Sequence, residues 1–529
     1  MNTIRIIPRL DVKGPNLVKG IHLEGLRVLG IPEKFSKYYY REGADELIYI
    51  DTVASLYGRN NLEDIVKRTA ENVFIPITVG GGVRSTDDIR RLLRAGADKV
   101  AINTEAINNP RIITEGAKVF GSQCIVISIQ AMKVANGKYE VYTDNAREPA
   151  GINVIDWVRQ VVGLGAGEIL VTSIDKDGTG EGYELELVEQ IVGASSVPVI
   201  ACGGAGNVKH VEELIAKCGV DAVCAASLFH YNVIRELGIE KSKEGNLEFL
   251  KKFKSLETSV LKRVKPVSVS GLKGYLKKRG VGCVTTETAR SFTNEQENIK
   301  NDVVPKMKGK HPIVTIVDYG GSNLFSVKHA FESIGAKVGI SSDPDKIIKA
   351  DKLVIAGVGA FGDAIEDMRG KGIVDSIKEF VDTGRPILGV CLGMQLFMTE
   401  GEEFGFNEGI GLVKGKVVNL NGSGLDQRGI KVPHVGWNKM EYPKEDIKGV
   451  NWLKTAILRD ILPGDYVYFV HSYVVVPTDP ACIIAETNYG PNNFCSVILK
   501  DNIIGCQFHP EKSGIVGLKI YRNFILHCE

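Results

Sequence analysis

Ile75-Pro76-Ile77-Thr78-Val79-Gly80-Gly81-Gly82 and Val197-Pro198-Val199-Ile200-Ala201-Cys202-Gly203-Gly204 are two versions of one pattern: an apolar run that ends on a glycine-rich turn. Working outward, similar strand-like runs lie at Ile4–Leu10, Glu46–Asp51, Lys99–Ile102, Ile125–Ile129, Glu168–Thr172 and Ala222–Ala225. With Ile75–Val79 and Val197–Ala201 they make eight. Helical patterns fill the gaps, and several stop at a glycine, as at Gly43, Gly96 and Gly121. Eight strand–helix units over this length read as a (β/α)8 barrel. A doubly wound open sheet ranks below it. The repeat count is eight, and no Gly-x-Gly-x-x-Gly turn follows the first strand.

The barrel repeats itself at half length. Glu46-Leu47-Ile48 is echoed by Glu168-Ile169-Leu170, and Leu10-Asp11-Val12-Lys13 by Ile129-Gln130-Ala131-Met132-Lys133. Two like halves imply two like sites facing each other at the mouth. Active sites of such barrels lie at the C-terminal strand ends. The residues there include Asp11, Asp51, Gly82, Asn103, Thr104 and Gln130 from the first part, then Asp177, Gly178, Gly203, Gly204, Ala226 and Ser227. Two glycine-rich turns, each near an Asn/Thr or Ser turn, can offer backbone N–H groups to two phosphates. A single glycine cluster would be read as loop shaping; a symmetric pair favours phosphates. Asp11 is the acid/base candidate, set against a solvated loop aspartate. At the opposite strand ends, Arg5, Glu46, Lys99 and Glu168 form either a salt-bridged plug or a polar gate for a small molecule.

Residues 239–264 are rich in Lys and Glu, with Phe249, Phe253 and Leu256 at helical spacing, and read as an extra surface helix. Leu272–Arg279 looks like the last barrel helix resumed. The composition turns polar over 283–310, which reads as a linker between a barrel at 1–282 and a second α/β domain at 311–529.

In that second domain, Pro386-Ile387-Leu388 leads into Gly389-Val390-Cys391-Leu392-Gly393 and then a helix-like stretch. This is the thiol counterpart of the strand–turn–helix elbow that exposes a nucleophile. A helix start behind the sulfur favours thiolate, the attacking species. The competing reading is a buried structural cysteine. Downstream, His509-Pro510-Glu511 places a base and a carboxylate two apart, on one face if the segment is a strand. The loop Gly357-Val358-Gly359 follows a strand at Lys352–Ala356, so the N–H groups of Val358 and Leu392 are proposed oxyanion donors. Tyr466–Tyr473 alternates like a strand that brings Tyr473 near a small substrate. His434 and His471 lack a carboxylate two residues on and read as packing or binding residues.

The net charge of +1 gives no reason to expect nucleic acid or an anionic membrane as a partner. No apolar run approaches the roughly 20 residues of a spanning helix. Ten scattered cysteines, several in strand-like runs, argue for a reducing cytoplasm and against a disulfide framework or zinc site. No cofactor is called for.

Gly389–Gln395 with His509-Pro510-Glu511 resembles a class I glutamine amidotransferase. Gly357–Gly362 and Pro433–Asn438 narrow the resemblance to the glutaminase part of the imidazole glycerol phosphate synthase family. Gly43–Glu46, Val79–Ser85, Arg94–Val100 and Gly165–Leu170 resemble its cyclase part. The resemblance implies that Cys391 attacks L-glutamine, with His509 shuttling protons and Glu511 orienting it. Gln395 and Tyr473 match positions that hold glutamine. It also implies that ammonia passes Arg5, Glu46, Lys99 and Glu168 to a bisphosphate ribotide at the barrel mouth. One position departs: the family carries Asp where this chain has Gln130, and an amide cannot exchange a proton at neutral pH. Losing a general acid or base typically costs roughly 10²–10⁴ in rate. Arg9 beside Asp11, and Ala356 where the family has Pro, are lesser departures. Divergent cyclase-like barrels support sugar amination for surface glycans, so a separate sugar amidotransferase is the alternative ammonia acceptor.

Overall fold

The computed structural model describes residues 3–54, 62–237, 263–284, 298–300, 312–320, 323–422, 430–443, 452 and 455–528. The chain forms two compact units, one drawn from residues 3–117 and 122–290 and the other from residues 291–529. Most of the expected surface helix at 239–264 and of the linker at 283–310 lies outside the described residues.

The first unit is a closed parallel barrel. Its strands are β1 (Arg5–Lys13), β2 (Leu47–Asp51), β3 (Ile77–Gly80), β4 (Lys99–Ile102), β5 (Ile125–Lys133), β6 (Glu168–Ser173), β7 (Val199–Cys202) and β8 (Ala222–Ala225). Each pairs with the next, and β1 also pairs with β8, so the eight-stranded ring closes on itself. This closure excludes the open-sheet alternative. The helix Val269–Lys278 lies where the resumed last helix was expected.

β1 and β5 outrun their expected ends. Each continues past the barrel into an antiparallel meander, through Asn16–Ile21 and Glu24–Gly30 after β1, and through Tyr139–Thr143 and Glu148–Asn153 after β5. The half-length repeat therefore extends to these excursions.

Alternate residues of a strand share a face. On β1 that puts Arg5, Ile7, Arg9 and Asp11 in one row. Charged groups occupy the row's first level. Above them is an apolar cluster of Ile7, Ile48, Ala101, Val126, Leu170, Ile200 and Ala222, joined by Cys202 and Cys224. Arg9 and Asp11 stand above that cluster, toward the mouth.

The second unit has a seven-stranded sheet. Its strands are β9 (Ile313–Val317), β10 (Lys337–Ser341), β11 (Lys352–Gly357), β12 (Ile387–Cys391), β13 (Ile483–Tyr489), β14 (Asn492–Lys500) and β15 (Ile503–Cys506). Their order is β10-β9-β11-β12-β15-β14-β13, parallel across the first five and antiparallel for the last two. Cys391 thus ends a central, fully buried strand.

Candidate functional site

Cys391 has φ 52 and ψ −105, a left-handed conformation that costs a non-glycine residue about 1–3 kcal/mol. Its neighbours explain how the turn closes. A Cβ on Gly393 would sit 1.9 Å from the Ile355 carbonyl oxygen, and one on Gly389 would sit 2.6 Å from the Phe397 ring. Only glycine fits either position. The short helix Leu392–Leu396 follows directly.

Gly357 of β11 pairs in register with Cys391 of β12. Val358 and Leu392, the next residue of each strand, therefore leave the sheet side by side next to the sulfur-bearing residue.

His509 Nδ1 lies 2.8 Å from Glu511 Oε1. The two meet as expected, but not on a strand. β15 ends at Cys506, and His509 heads the 3₁₀ turn Pro510–Lys512. Pro510 explains the change: it lacks a ladder N–H, and its fixed φ suits the first position of a helical turn. The turn is anchored from both sides. The Ser513 hydroxyl donates to the His509 carbonyl at 2.6 Å and accepts the Tyr468 N–H at 3.0 Å.

Burial alone would lower the pKa of His509. The facing Cys391 and then Glu511 outweigh it and raise the value well above the imidazole norm. His509 Nε2 is buried and completes no hydrogen bond among the described residues, so it faces Cys391 without a formed bond between them. Burial likewise pushes the Glu511 carboxyl up, but His509 and the Tyr521 hydroxyl bring it below its ordinary value.

Three side chains here carry no signal in the linear sequence. Gln507 Nε2 approaches Cys391 Sγ at 3.7 Å, and its Oε1 accepts from Gln395 Nε2 at 3.3 Å. Gln395 Nε2 also donates to the Tyr473 carbonyl at 3.0 Å, which ties the two expected glutamine-binding residues together. Tyr473 begins a separate strand, Tyr473–Pro477, after a break at Ser472. Glu403 is buried, accepts the Phe361 N–H at 2.7 Å, and is pushed up to about 7 by its burial. Tyr521 reaches Glu511 from a helix that begins three residues beyond it. His434 and His471 pack against each other and among Phe469, Tyr489 and Phe494.

In the barrel, Arg5, Glu46, Lys99 and Glu168 close into a buried ring. Arg5 pairs with Glu46 at 2.8 Å and also with Glu168; Lys99 pairs with Glu46 at 2.7 Å and Glu168 at 2.5 Å. Burial opposes the charge on Glu168, and Arg5 and Lys99 overcome it and lower its pKa.

At the mouth, Asp51, Gly82, Asn103, Thr104 and Gln130 line one cavity of about 280 Å³. Asp177, Gly178, Gly203, Gly204, Ala226 and Ser227 follow β6, β7 and β8 and are not part of its lining. Asp11 is also not in that lining. It is buried on β1, which corrects the solvated-loop reading. Its Oδ1 accepts from Arg9 Nε at 2.8 Å, and Lys19 stands 3.9 Å from Oδ2 while pairing with Asp177 at 2.7 Å. The Arg9 guanidinium reaches across the lumen to Thr172 Oγ1 at 2.9 Å and Cys202 Sγ at 3.8 Å. Gln130 Oε1 accepts the N–H of Ala146 at 2.7 Å. That residue closes a turn in which Asp144, Asn145 and Ala146 all have positive φ.

The fold and sites define a class: a (β/α)8 barrel joined to a class I glutamine amidotransferase domain. The family profile described as histidine biosynthesis protein matches residues 5–235, and that described as glutamine amidotransferase class-I matches residues 315–528. The imidazole glycerol phosphate synthase subunit HisF of Legionella pneumophila is 62% identical over 209 residues, 40% of this chain and 99% of that relative. The chain belongs to the imidazole glycerol phosphate synthase family, as a cyclase-type barrel followed by an amidotransferase, and is an enzyme of that type.

Proposed function

We propose that the chain hydrolyses L-glutamine at Cys391 and passes the ammonia to chemistry served by its barrel. The supporting observation is the convergence of Cys391, His509 and Glu511 on one buried site at the end of a central strand. The Cys391 thiolate attacks the carboxamide carbon. The tetrahedral oxyanion takes the N–H groups of Val358 and Leu392. His509 gives its Nε2 proton to the departing ammonia, leaving a thioester. Water, giving its proton to His509, then releases glutamate and restores the thiolate. Gln395 and Tyr473 hold the substrate, and Glu403, whose charge is felt at Tyr473, takes its ammonium group.

The ring of Arg5, Glu46, Lys99 and Glu168 then serves as the gate, and the apolar layer above it suits neutral ammonia. At the mouth, the phosphoribulosyl formimino-carboxamide ribotide would be held through two phosphates. Asp51, Gly82, Asn103 and Thr104 serve one end; Asp177, Gly178, Gly203, Gly204, Ala226 and Ser227 serve the other. Asp11 is its acid/base group, and the products are imidazole glycerol phosphate and aminoimidazole carboxamide ribotide. We assign residues 1–282 to the barrel, 283–310 to the linker and 311–529 to the amidotransferase, acting in the cytoplasm.

Three observations favour a second reading for the barrel. Asp11 is held in an ion pair with Arg9, and Gln130 spends its oxygen on the Ala146 N–H. Asp51, Glu105 and Asp144 outnumber Arg84 around the cavity beside Thr104, which suits a phosphate poorly. In this reading the barrel conducts ammonia to a separate sugar amidotransferase of surface-polysaccharide synthesis. Cys391→Ala should abolish glutamate release; persistent hydrolysis would overturn the nucleophile assignment. Incubation with the bisphosphate ribotide and ammonium salt separates the two barrel readings. Imidazole product supports the cyclase, whereas its absence, with recovery in Gln130→Asp, supports the conduit.

A further inference from the structure

Glu511 has two carboxylate oxygens, and the triad accounts for one of them. Oε1 meets His509 Nδ1, while Oε2 accepts the Tyr521 hydroxyl at 2.8 Å. Tyr521 sits on the long helix Gly514–His527, fully buried. Its ring stacks on Phe331 with centroids 4.0 Å apart and planes 16° from parallel. The hydroxyl is therefore delivered by a rigid group with two torsions, both constrained by packing. A glutamate's last torsion is broad and poorly fixed by its own rotamer preferences. A second tether is what stops the carboxylate from turning away from the imidazole.

We propose that Tyr521 is a positioning residue for glutamine hydrolysis, holding the outer oxygen of Glu511 so that the inner one keeps His509 in the orientation and tautomer the reaction needs. Burial and the neighbouring Glu511 hold the phenol neutral, so it stays a donor. A donor to the charged form also favours carboxylate over carboxyl inside a buried site. The titratable groups facing Glu511 are His509, Tyr521 and the Cys506 thiol; those facing His509 are Cys391, Glu511 and His471. Cys506 and His471 are buried in their neutral forms, so the acid limb of the reaction reports mainly on Glu511, whose carboxyl is held below its ordinary range.

This inference rests on the glutaminase reading of the site, and the experiment keeps the two apart. Glutamate release by the full chain is measured across roughly pH 3 to 9 for wild type, Cys391→Ala, Tyr521→Phe, and Tyr521→Phe combined with Glu511→Gln. Tyr521→Phe keeps the ring and its stack on Phe331 and removes only the hydroxyl. It should lower kcat about tenfold, leave KM within about twofold, and move the acid limb to higher pH. In the Glu511→Gln background it should add no further loss, because its partner is already altered. Should Tyr521→Phe fail to fold, 3-fluorotyrosine at 521 keeps the bond with a stronger donor and should move the acid limb to lower pH. Unchanged kcat and an unmoved limb, or a full additional loss in the Glu511→Gln background, overturns the proposal. Hydrolysis persisting in Cys391→Ala overturns both it and the glutaminase reading. Silence of Tyr521→Phe with an inactive Cys391→Ala overturns the positioning role alone.

Discussion

Replacing Glu168 by Gln removes one charge from a ring in which every member is 0–1% exposed. Arg5 and Lys99 are then left to share Glu46 alone, and Lys99 loses its 2.5 Å partner. Removing one partner of a buried ion pair costs about 3–5 kcal/mol, because the stranded charge cannot recover its hydration. Glu168 serves two cations, which places the expected cost toward the upper end of that range. For a barrel of this size, each kcal/mol moves the midpoint by about 2–4 °C, so a drop of roughly 10 °C is expected. Calorimetry of the full chain, following the barrel transition, reads it directly. Pairing Glu168→Gln with Lys99→Gln restores one cation to one anion and should recover part of the loss. The pH dependence has a defined sign. The folded pKa of Glu168 is depressed, so its contribution is complete above the unfolded-chain value of about 4.3 and is lost as pH falls through the lower folded value. A single variant costing under about 1 kcal/mol, or a double variant no better than the single, would refute the reasoning.

Three further outcomes can be checked. Gly393→Ala puts a methyl 1.9 Å from a backbone oxygen, which cannot move aside as a side chain would. Glutamate release should fall by at least about a hundredfold while Gly370→Ala, in open space, stays near wild type. If Glu403 receives the substrate's ammonium, KM for glutamine should rise as pH falls below about 7, where the carboxyl takes up a proton. Glu403→Gln should raise KM above about pH 7, where the wild-type carboxyl is charged, and flatten that dependence; a pH-independent KM in wild type would remove Glu403 from the binding site. The Tyr49 hydroxyl sits in a buried hydroxyl chain between Ser36 and Thr69, 2.8 Å from Thr69 Oγ1. Thr69→Val should therefore destabilise the barrel by about 1–3 kcal/mol in urea titration without changing glutamate release.

The barrel was legible because apolar runs and glycine stops repeat with little interference. Lys99–Ile102 and Ala222–Ala225 fall at their expected bounds. The ends of β1 and β5 were not legible. Gly14-Pro15 reads locally as a stop, whereas Asp11, Val12 and Lys13 stay in the sheet because Asn16–Val18 pairs back onto them. At the amidotransferase site, the glycines around Cys391 announce the turn, and His509-Pro510-Glu511 announces a pair. Proline set the turn type, which strand periodicity misjudged. Glu403 and Tyr521 were invisible for a different reason. Their partners, Phe361 and Glu511, are fixed by packing between separate elements, and nothing in a run such as Glu402-Glu403-Phe404-Gly405 distinguishes it from a surface bend.

None of the ten thiols is in a disulfide, and all are buried, Cys391 among them. The molecule therefore carries its own opening gauge. A bulky thiol reagent can tag the native chain only where breathing exposes sulfur, so the count and order of tags record which segments part from their packing first. Cys391 should stand apart from the other nine in one respect: glutamine should slow its tagging and leave theirs unchanged.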